Sequence, residues 1–289
     1  MDVSGLPDEQ IYRIVDAALA EDVSHGDVTT EVLIPVDLRG TADILVKDTG
    51  ILAGGFIAEK VFGRIDSSLK FELYIKDGAE VKEGDVIASV SGKIAGILKA
   101  ERVALNFLQR LSGIATQTAE YVDRVRGTDA YVADTRKTTP GLRILEKYAV
   151  RMGGGKNHRF HLSDGILIKD NHLAVLYAQG MTLKQIIEKA KANAPEDVTV
   201  EVEVTSIQEA LEADGAGADI IMLDNMSNDE MRQVVKTLKG KVKLEASGGI
   251  SMNSVRAVAE TGIDYFSVGG LTHSVKALDI SLEIVSLAS

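Results

Sequence analysis

Residues 198–224, VTVEVEVTSIQEALEADGAGADIIMLD, read as a strand, a helix and a second strand. Valine alternates with threonine and glutamate over 198–204, a strand pattern; helical spacing follows over 206–214, and an apolar strand runs over 219–223. Working outward, the same rhythm holds from residue 128 onward. Further strand candidates lie at 130–134, 165–169, 242–246 and 264–268, with helical patterns at 182–193, 227–239 and 252–261. Alternation of this kind predicts a parallel sheet, open or closed into a barrel.

Each strand candidate ends in polar residues or glycine: Thr135-Arg136-Lys137, Lys169-Asp170-Asn171, Glu203, Asp224-Asn225, Ser247-Gly248-Gly249 and Gly269-Gly270. Ligands bind at the C-terminal ends of strands in parallel α/β architectures, so these groups are the candidate site.

The N-terminal part reads differently. Ile11, Ile14, Val15, Ala18 and Leu19 share a helical face, and short β-like runs come next at 42–48, 69–81 and 85–102. Helical spacing resumes over 101–126. The expectation is a small, largely antiparallel domain over 1–112 and an α/β domain over 113–289, divided at Ser112-Gly113. The run DGAEVKEGDVIASVSGKIAGIL has the turn-and-strand rhythm of biotinyl or lipoyl carrier folds, with Lys93 as the candidate hairpin lysine. Its neighbours do not form an attachment motif, so the run is read as a barrel-sandwich scaffold without a prosthetic group.

The 289 residues carry a net charge of −11, with 45% hydrophobic and 4% aromatic residues. That composition supports a sizeable core and opposes non-specific nucleic-acid binding, which needs surplus lysine and arginine. Without cysteine there are no disulfides, thiolate metal sites or cysteine nucleophile. The first residues, MDVSGLPDEQ, lack signal-peptide character, and no apolar run approaches the ~20 residues that span a bilayer, so the expectation is a cytoplasmic protein.

Against this acidic background, residues 134–172 hold eight basic side chains and four acidic ones, with three of the five histidines, His158, His161 and His172. A solvated charged face is the plain alternative. The glycine-rich, aperiodic MGGGKNHRFHLSDG does not suit a charged helix, and a multiply anionic small ligand is expected here. EASGGIS and FSVGGLT each follow a strand and precede a helical pattern, the context of a backbone phosphate site. Glu201 and Glu203 fall on one strand face; Glu203 and Asp224 offer hard oxygen donors suited to magnesium or sugar hydroxyls, and equally to a glycosidase pair. Structural salt bridges account equally well for either acid taken singly.

DTRKTTPGLR (134–143), KYAVRMGGGKNHRFHLSDGILIKDNH (147–172) and EASGGI (245–250) resemble the quinolinate phosphoribosyltransferase family, and the similarity extends from EDVSHGDVTT to VGGLTHS. The resemblance implies an N-terminal α/β sandwich joined to an incomplete, roughly six-stranded α/β barrel. It implies that Thr135, Arg136, Lys137, His158, Arg159 and Lys169 bind quinolinate, with Arg102 added from a neighbouring subunit of a homodimer or higher homo-oligomer. It further implies that Glu203 and Asp224 serve the ribose and magnesium, directly or indirectly. Ser247, Gly248, Gly249, Val268, Gly269 and Gly270 would hold the 5-phosphate of phosphoribosyl pyrophosphate. Lys137, Lys169, Glu203 and Asp224 are the catalytic candidates, and the choice of Glu203 over Glu201 rests on the EVEV pattern alone. Neither nucleic acid nor membrane is an expected partner.

Overall fold

The computed structural model describes residues 6–288. In chain order its elements begin with α1 (Asp8–Val23), α2 (Val28–Leu33), β1 (Arg39–Val46), β2 (Gly50–Ile51), α3 (Gly55–Ile65), β3 (Lys70–Leu73), β4 (Glu80–Val81), β5 (Val86–Lys93) and α4 (Ile94–Arg124). Next come β6 (Tyr131–Ala133), α5 (Arg143–Met152), β7 (Ile166–Ile168), α6 (Asp170–Ala178), α7 (Leu183–Asn193), β8 (Val200–Val204) and α8 (Ile207–Gly215). The last are β9 (Ile220–Asp224), α9 (Asn228–Leu238), β10 (Lys243–Ser247), α10 (Val255–Ala259), β11 (Tyr265–Ser267), α11 (Gly270–His273) and β12 (Ile280–Ala288). They fall into two compact units. One comprises the described residues up to Ala119 with Thr138–Gly154 and those from Leu271 on; the other comprises Glu120–Lys137 and Gly155–Gly270.

The first unit is built on a four-stranded antiparallel sheet in the order β12-β1-β5-β3. Gly40, Ala42, Ile44 and Val46 are the buried face of β1, as strand alternation requires. The strand read over 85–102 ends at Lys93, and α4 begins at Ile94. Ile94, Ile97, Ala100, Ala104, Leu108 and Leu111 are all buried, and their three- and four-residue steps make one helical stripe. Lys93 therefore stands at a strand-to-helix junction rather than at a hairpin tip. The expected division at Ser112-Gly113 falls inside α4, which runs on unbroken. Gly113 is there for close packing, because a Cβ would collide with the Lys276 carbonyl oxygen. β12 was not foreseen from the sequence. It pairs along the whole of β1, so this unit follows packing rather than chain order.

A buried network in this unit clamps the second half of DTRKTTPGLR. Arg110 Nε and Nη2 donate to Glu146 Oε1 at 2.9 and 2.6 Å, and Nη2 also reaches Thr139 Oγ1 at 2.6 Å and the Thr272 carbonyl at 3.1 Å. Glu146 Oε2 accepts from the Thr139 N–H at 3.0 Å. Glu146 is fully buried, so Arg110→Met strands a carboxylate without its cation. The expected loss is roughly 3 kcal/mol, at the low end for a broken buried pair because Arg110 is partly exposed. Denaturant unfolding checks this, and adding Glu146→Leu should recover part of the loss.

The second unit carries a six-stranded parallel sheet in the order β6-β11-β10-β9-β8-β7, left open between β6 and β7. It is the incomplete α/β barrel expected. The helices between its later strands start where the sequence marks them. Thr182 and Ser227 form capping boxes with Gln185 and Glu230, and the Ser206 side chain accepts from the Glu209 N–H. The free edge of β6 is partly covered by the bridge between Ala133 and Lys156.

Candidate active site

A cavity of about 610 Å³ opens at the C-terminal ends of these strands. β6 and the residues after it contribute Asp134, Thr135, Arg136 and Lys137; the loop before β7 contributes His158 and Arg159; β7 and the start of α6 contribute Leu167, Lys169 and Asp170. Across from them stand Glu203 from β8, Met222, Asp224 and Asn225 from β9, Glu245, Ser247, Gly248 and Gly249 from β10, and Ser267 from β11.

Of the eight basic residues between 134 and 172, only Arg136, Lys137, Arg159 and Lys169 line this cavity. Arg143, Lys147 and Arg151 belong to α5 in the first unit, and Lys156 sits 3.8 Å from the centre of the Tyr131 ring. His161 is exposed, and the His172 Nδ1 accepts from the Lys169 N–H at 3.0 Å at the start of α6. Arg102 lies on α4 in the first unit, its side chain 57% exposed, with Glu101 at 4.0 Å. Val268, Gly269 and Gly270 continue past β11 and do not line the cavity, where Ser267 stands instead. The helices after the two glycine pairs are short, five residues for α10 and four for α11. Any anion at Gly248-Gly249 would therefore meet backbone N–H groups rather than a substantial helix dipole.

Like charges are held together in two places. Burial and then the nearby charge of Arg136 depress the basicity of Arg159, whose Nη1 also donates to the Gly165 carbonyl at 2.9 Å. Burial and then the Asp224 carboxylate raise the pKa of Glu203, with Lys169 opposing. A protein holds such pairs at a cost unless a ligand of opposite charge relieves them, which is why they mark binding sites. The arginine pair suits an anion with more than one carboxylate, and the acidic pair suits hydroxyls or a hard cation.

Asp134 and Glu245 shape the cavity without a role in the sequence reading, and Asn225 entered it only as part of a strand end. Asp134, fully buried, accepts from Asn157 Nδ2 at 2.6 Å and from the His158 N–H at 2.8 Å. Asn225 is the one non-glycine at positive φ among the described residues, at 53°. Its Nδ2 donates to Asp224 Oδ2 at 2.7 Å and its N–H to the Ser247 carbonyl at 2.9 Å. Gly248, at φ 89°, packs so closely on Asn225 that a Cβ would collide with its side-chain amide. Glu245 lies within β10 and meets His158. The Asp-Asn pair at a strand end was a usable signal for Asn225, whereas nothing local distinguished Asp134 or Glu245.

Glu201 and Glu203 both face inward, at different depths. Glu203 reaches the cavity, while Glu201 is buried, 3.3 Å from His158 Nε2. Glu245 Oε2 lies 3.2 Å from the same nitrogen, and His158 Nδ1 accepts from the Arg159 N–H at 2.9 Å. Burial opposes a charge on the ring, while hydrogen bonds to Glu201 and Glu245 raise its pKa and hold a proton on Nε2. A second ring proton would have to displace the Arg159 N–H from Nδ1. The geometry therefore favours a neutral ring protonated on Nε2 with a proton held on the acids, and burial pushes the Glu201 carboxyl up to about 7.

The family model for the N-terminal domain of quinolinate phosphoribosyl transferase matches residues 27–112, and that for its C-terminal domain matches residues 114–283. The chain belongs to the quinolinate phosphoribosyl transferase family. Within that family it is 45% identical over 275 residues to the probable carboxylating nicotinate-nucleotide pyrophosphorylase of Bacillus subtilis, covering 95% of this chain and 93% of the relative. It is 42% identical to the mitochondrial decarboxylating quinolinate phosphoribosyltransferase 2b of Nicotiana tabacum, covering 96% of this chain and 83% of that one. The crystal structure of NadC from Streptococcus pyogenes superposes with a TM-score of 0.92 at 44% identity, covering 98% of this chain and 99% of the other. The sandwich and open six-stranded barrel are thus the fold of a quinolinate phosphoribosyl transferase family member.

Proposed function

We propose that this chain transfers the phosphoribosyl group of phosphoribosyl pyrophosphate to the ring nitrogen of quinolinate and releases the adjacent carboxylate as carbon dioxide. The products are nicotinate mononucleotide and pyrophosphate, a step of NAD biosynthesis. The observation that carries this reading is the placement of the two like-charge pairs, Arg136 with Arg159 and Glu203 with Asp224, in one cavity. Family membership and the relatives' names support it.

In this reading Arg136 and Arg159 grip the two carboxylates of the pyridine, and Lys137 and Lys169 add movable positive charge. Gly248 and Gly249 present backbone N–H groups to the 5-phosphate. Glu203 and Asp224 face the ribose, where positive charge develops as the ring nitrogen attacks the anomeric carbon and pyrophosphate departs; their carboxylates stabilise that charge. Magnesium would fit the same pair, since two carboxylates that repel each other are hard oxygen donors, and once bound it would neutralise charge on the leaving pyrophosphate. Once the nitrogen is quaternised it stabilises the electron pair left on the adjacent ring carbon when that carbon's bond to its carboxylate breaks. Carbon dioxide leaves, and a proton from solvent takes its place on the carbon. A homodimer with shared active sites, in which Arg102 of a second copy completes the acceptor site, and a cytoplasmic location form part of the proposal. No helix among the described residues is long and apolar enough to cross a membrane.

Pyrophosphate release measured side by side with quinolinate and nicotinate tests the reading. Release with quinolinate is expected, with little from nicotinate, which has a single carboxylate for the arginine pair. Equal release from both would contradict it. Asp224→Asn keeps shape and removes charge, so it should raise the KM for phosphoribosyl pyrophosphate or cut kcat while leaving quinolinate affinity near normal. Calorimetric binding of quinolinate to the variant checks this; a large loss of affinity in a folded variant would place Asp224 in the wrong subsite.

A further inference from the structure

The interior of the open barrel holds two glutamates that the proposed chemistry does not use. Glu201 is 4% exposed and Glu245 is 0% exposed. Ionised carboxylates cost several kcal/mol to bury, and apolar residues of similar volume are often as stable or more so. Each glutamate has one oxygen, Oε1, that is buried without a hydrogen-bond partner. Their other oxygens converge on His158 Nε2, at 3.3 Å from Glu201 and 3.2 Å from Glu245. They arrive from different strands, β8 and β10, so the ring is held by two elements that sit on either side of β9.

Both nitrogens of His158 are engaged inside the protein. Nε2 faces the two acids, and Nδ1 accepts from the backbone N–H of Arg159. The main chain of His158 is tied separately, through its N–H to Asp134. The ring lies tilted by 43° beside Tyr265, with centroids 6.4 Å apart, and Tyr265 stacks on Tyr131 at 4.9 Å. A second cavity of about 220 Å³ borders Glu201, Tyr131 and Tyr265, and His158 and Arg159 line both cavities. His158 thus forms part of the floor of the larger cavity without a ring nitrogen to offer a ligand. Arg159, one residue on, carries the guanidinium that faces Arg136.

We propose that Glu201 and Glu245 are positioning residues for the acceptor subsite: by fixing the His158 ring they fix the backbone of Arg159, and so the aim of its guanidinium. The proposal rests on the reading that Arg159 binds a quinolinate carboxylate. A misplaced binding group is costly because affinity for a charged ligand depends on bidentate geometry.

The test compares Glu245→Leu with Glu245→Gln, and Glu201→Leu with Glu201→Gln. Leucine removes the acceptor that holds Nε2, whereas glutamine keeps a carbonyl oxygen there. The leucine variants should raise the KM for quinolinate by at least about tenfold, with the KM for phosphoribosyl pyrophosphate changed by no more than about twofold, and glutamine should recover most of the loss. Nitrogen-15 spectra of imidazole-labelled protein without substrate should show His158 protonated on Nε2 and bare on Nδ1 in the wild type, and lose that signature with leucine. A rise in both KM values that tracks lost thermal stability would overturn the proposal, as would folded leucine variants with unchanged quinolinate KM. A stoichiometric transition-metal ion in the purified wild type that is lost from the leucine variants would overturn it too, by making the three residues a metal site. If the wild type does not use quinolinate at all, the functional reading falls while the His158 tautomer can still be found as described.

Discussion

Arg159→Ala is expected to lower kcat/KM for quinolinate by about 30-fold to several thousand-fold, the equivalent of roughly 2–5 kcal/mol for truncating one member of a desolvated charge pair. The effect should be large for two reasons visible in the structure. The guanidinium is partly buried beside Arg136, and both burial and that neighbour depress its basicity, so its charge is maintained at a cost that a bound carboxylate would offset. Its Nη1 is also tied to the Gly165 carbonyl, which limits the freedom lost on binding. Lys169→Ala should act in the same direction. The KM for phosphoribosyl pyrophosphate should change much less. Steady-state kinetics with each substrate varied in turn check this, and near-normal quinolinate turnover in both variants would remove the arginine and lysine cluster from the acceptor site.

The second large effect is a recovery. Arg102→Ala and Lys137→Ala should each be nearly inactive as homodimers if Arg102 completes the site of a second copy. The open barrel end needs a cover from elsewhere to exclude water, and a two-fold dimer would build two equivalent covered sites. Mixed under subunit exchange, the variants should form hybrids with one doubly damaged site and one intact site. Random pairing makes about half of the dimers hybrid, so activity should return to roughly a quarter of wild type. Native mass spectrometry verifies exchange. A mixture that exchanges yet stays as inactive as its parents would place Arg102 in its own chain's site.

Much of the barrel was legible because its strands are buried on both faces and punctuated by caps. Apolar runs at 219–223 and 242–246, with Ser206 and Ser227 at the helix starts, leave little choice of period or boundary. Residues after strand ends were legible for the same reason: a parallel sheet brings them to one side whatever their spacing in the chain. The hidden features depend on depth and on distant pairing. Alternation puts Glu201 and Glu203 on one face, but only the stacking of layers sends Glu203 to the cavity and Glu201 to His158. The division expected at Ser112-Gly113 falls within α4, where Gly113 serves close packing against the Lys276 carbonyl oxygen. The strand β12 gains its partner, β1, from the other end of the chain, and its exposed residues give it little of a core strand's pattern. The charge run at 134–172 overstated the site, since several of its cations follow α5 into the first unit.

The most direct test of the whole account uses quinolinate labelled in the carboxylate next to the ring nitrogen, with phosphoribosyl pyrophosphate and magnesium. Labelled carbon dioxide and pyrophosphate should appear in equal amounts, with nicotinate mononucleotide as the remaining product and no carbon dioxide when phosphoribosyl pyrophosphate is omitted. Pyrophosphate without carbon dioxide, or no reaction from folded protein, would contradict the claim that this cavity joins a ribose to a pyridine dicarboxylate and then decarboxylates it.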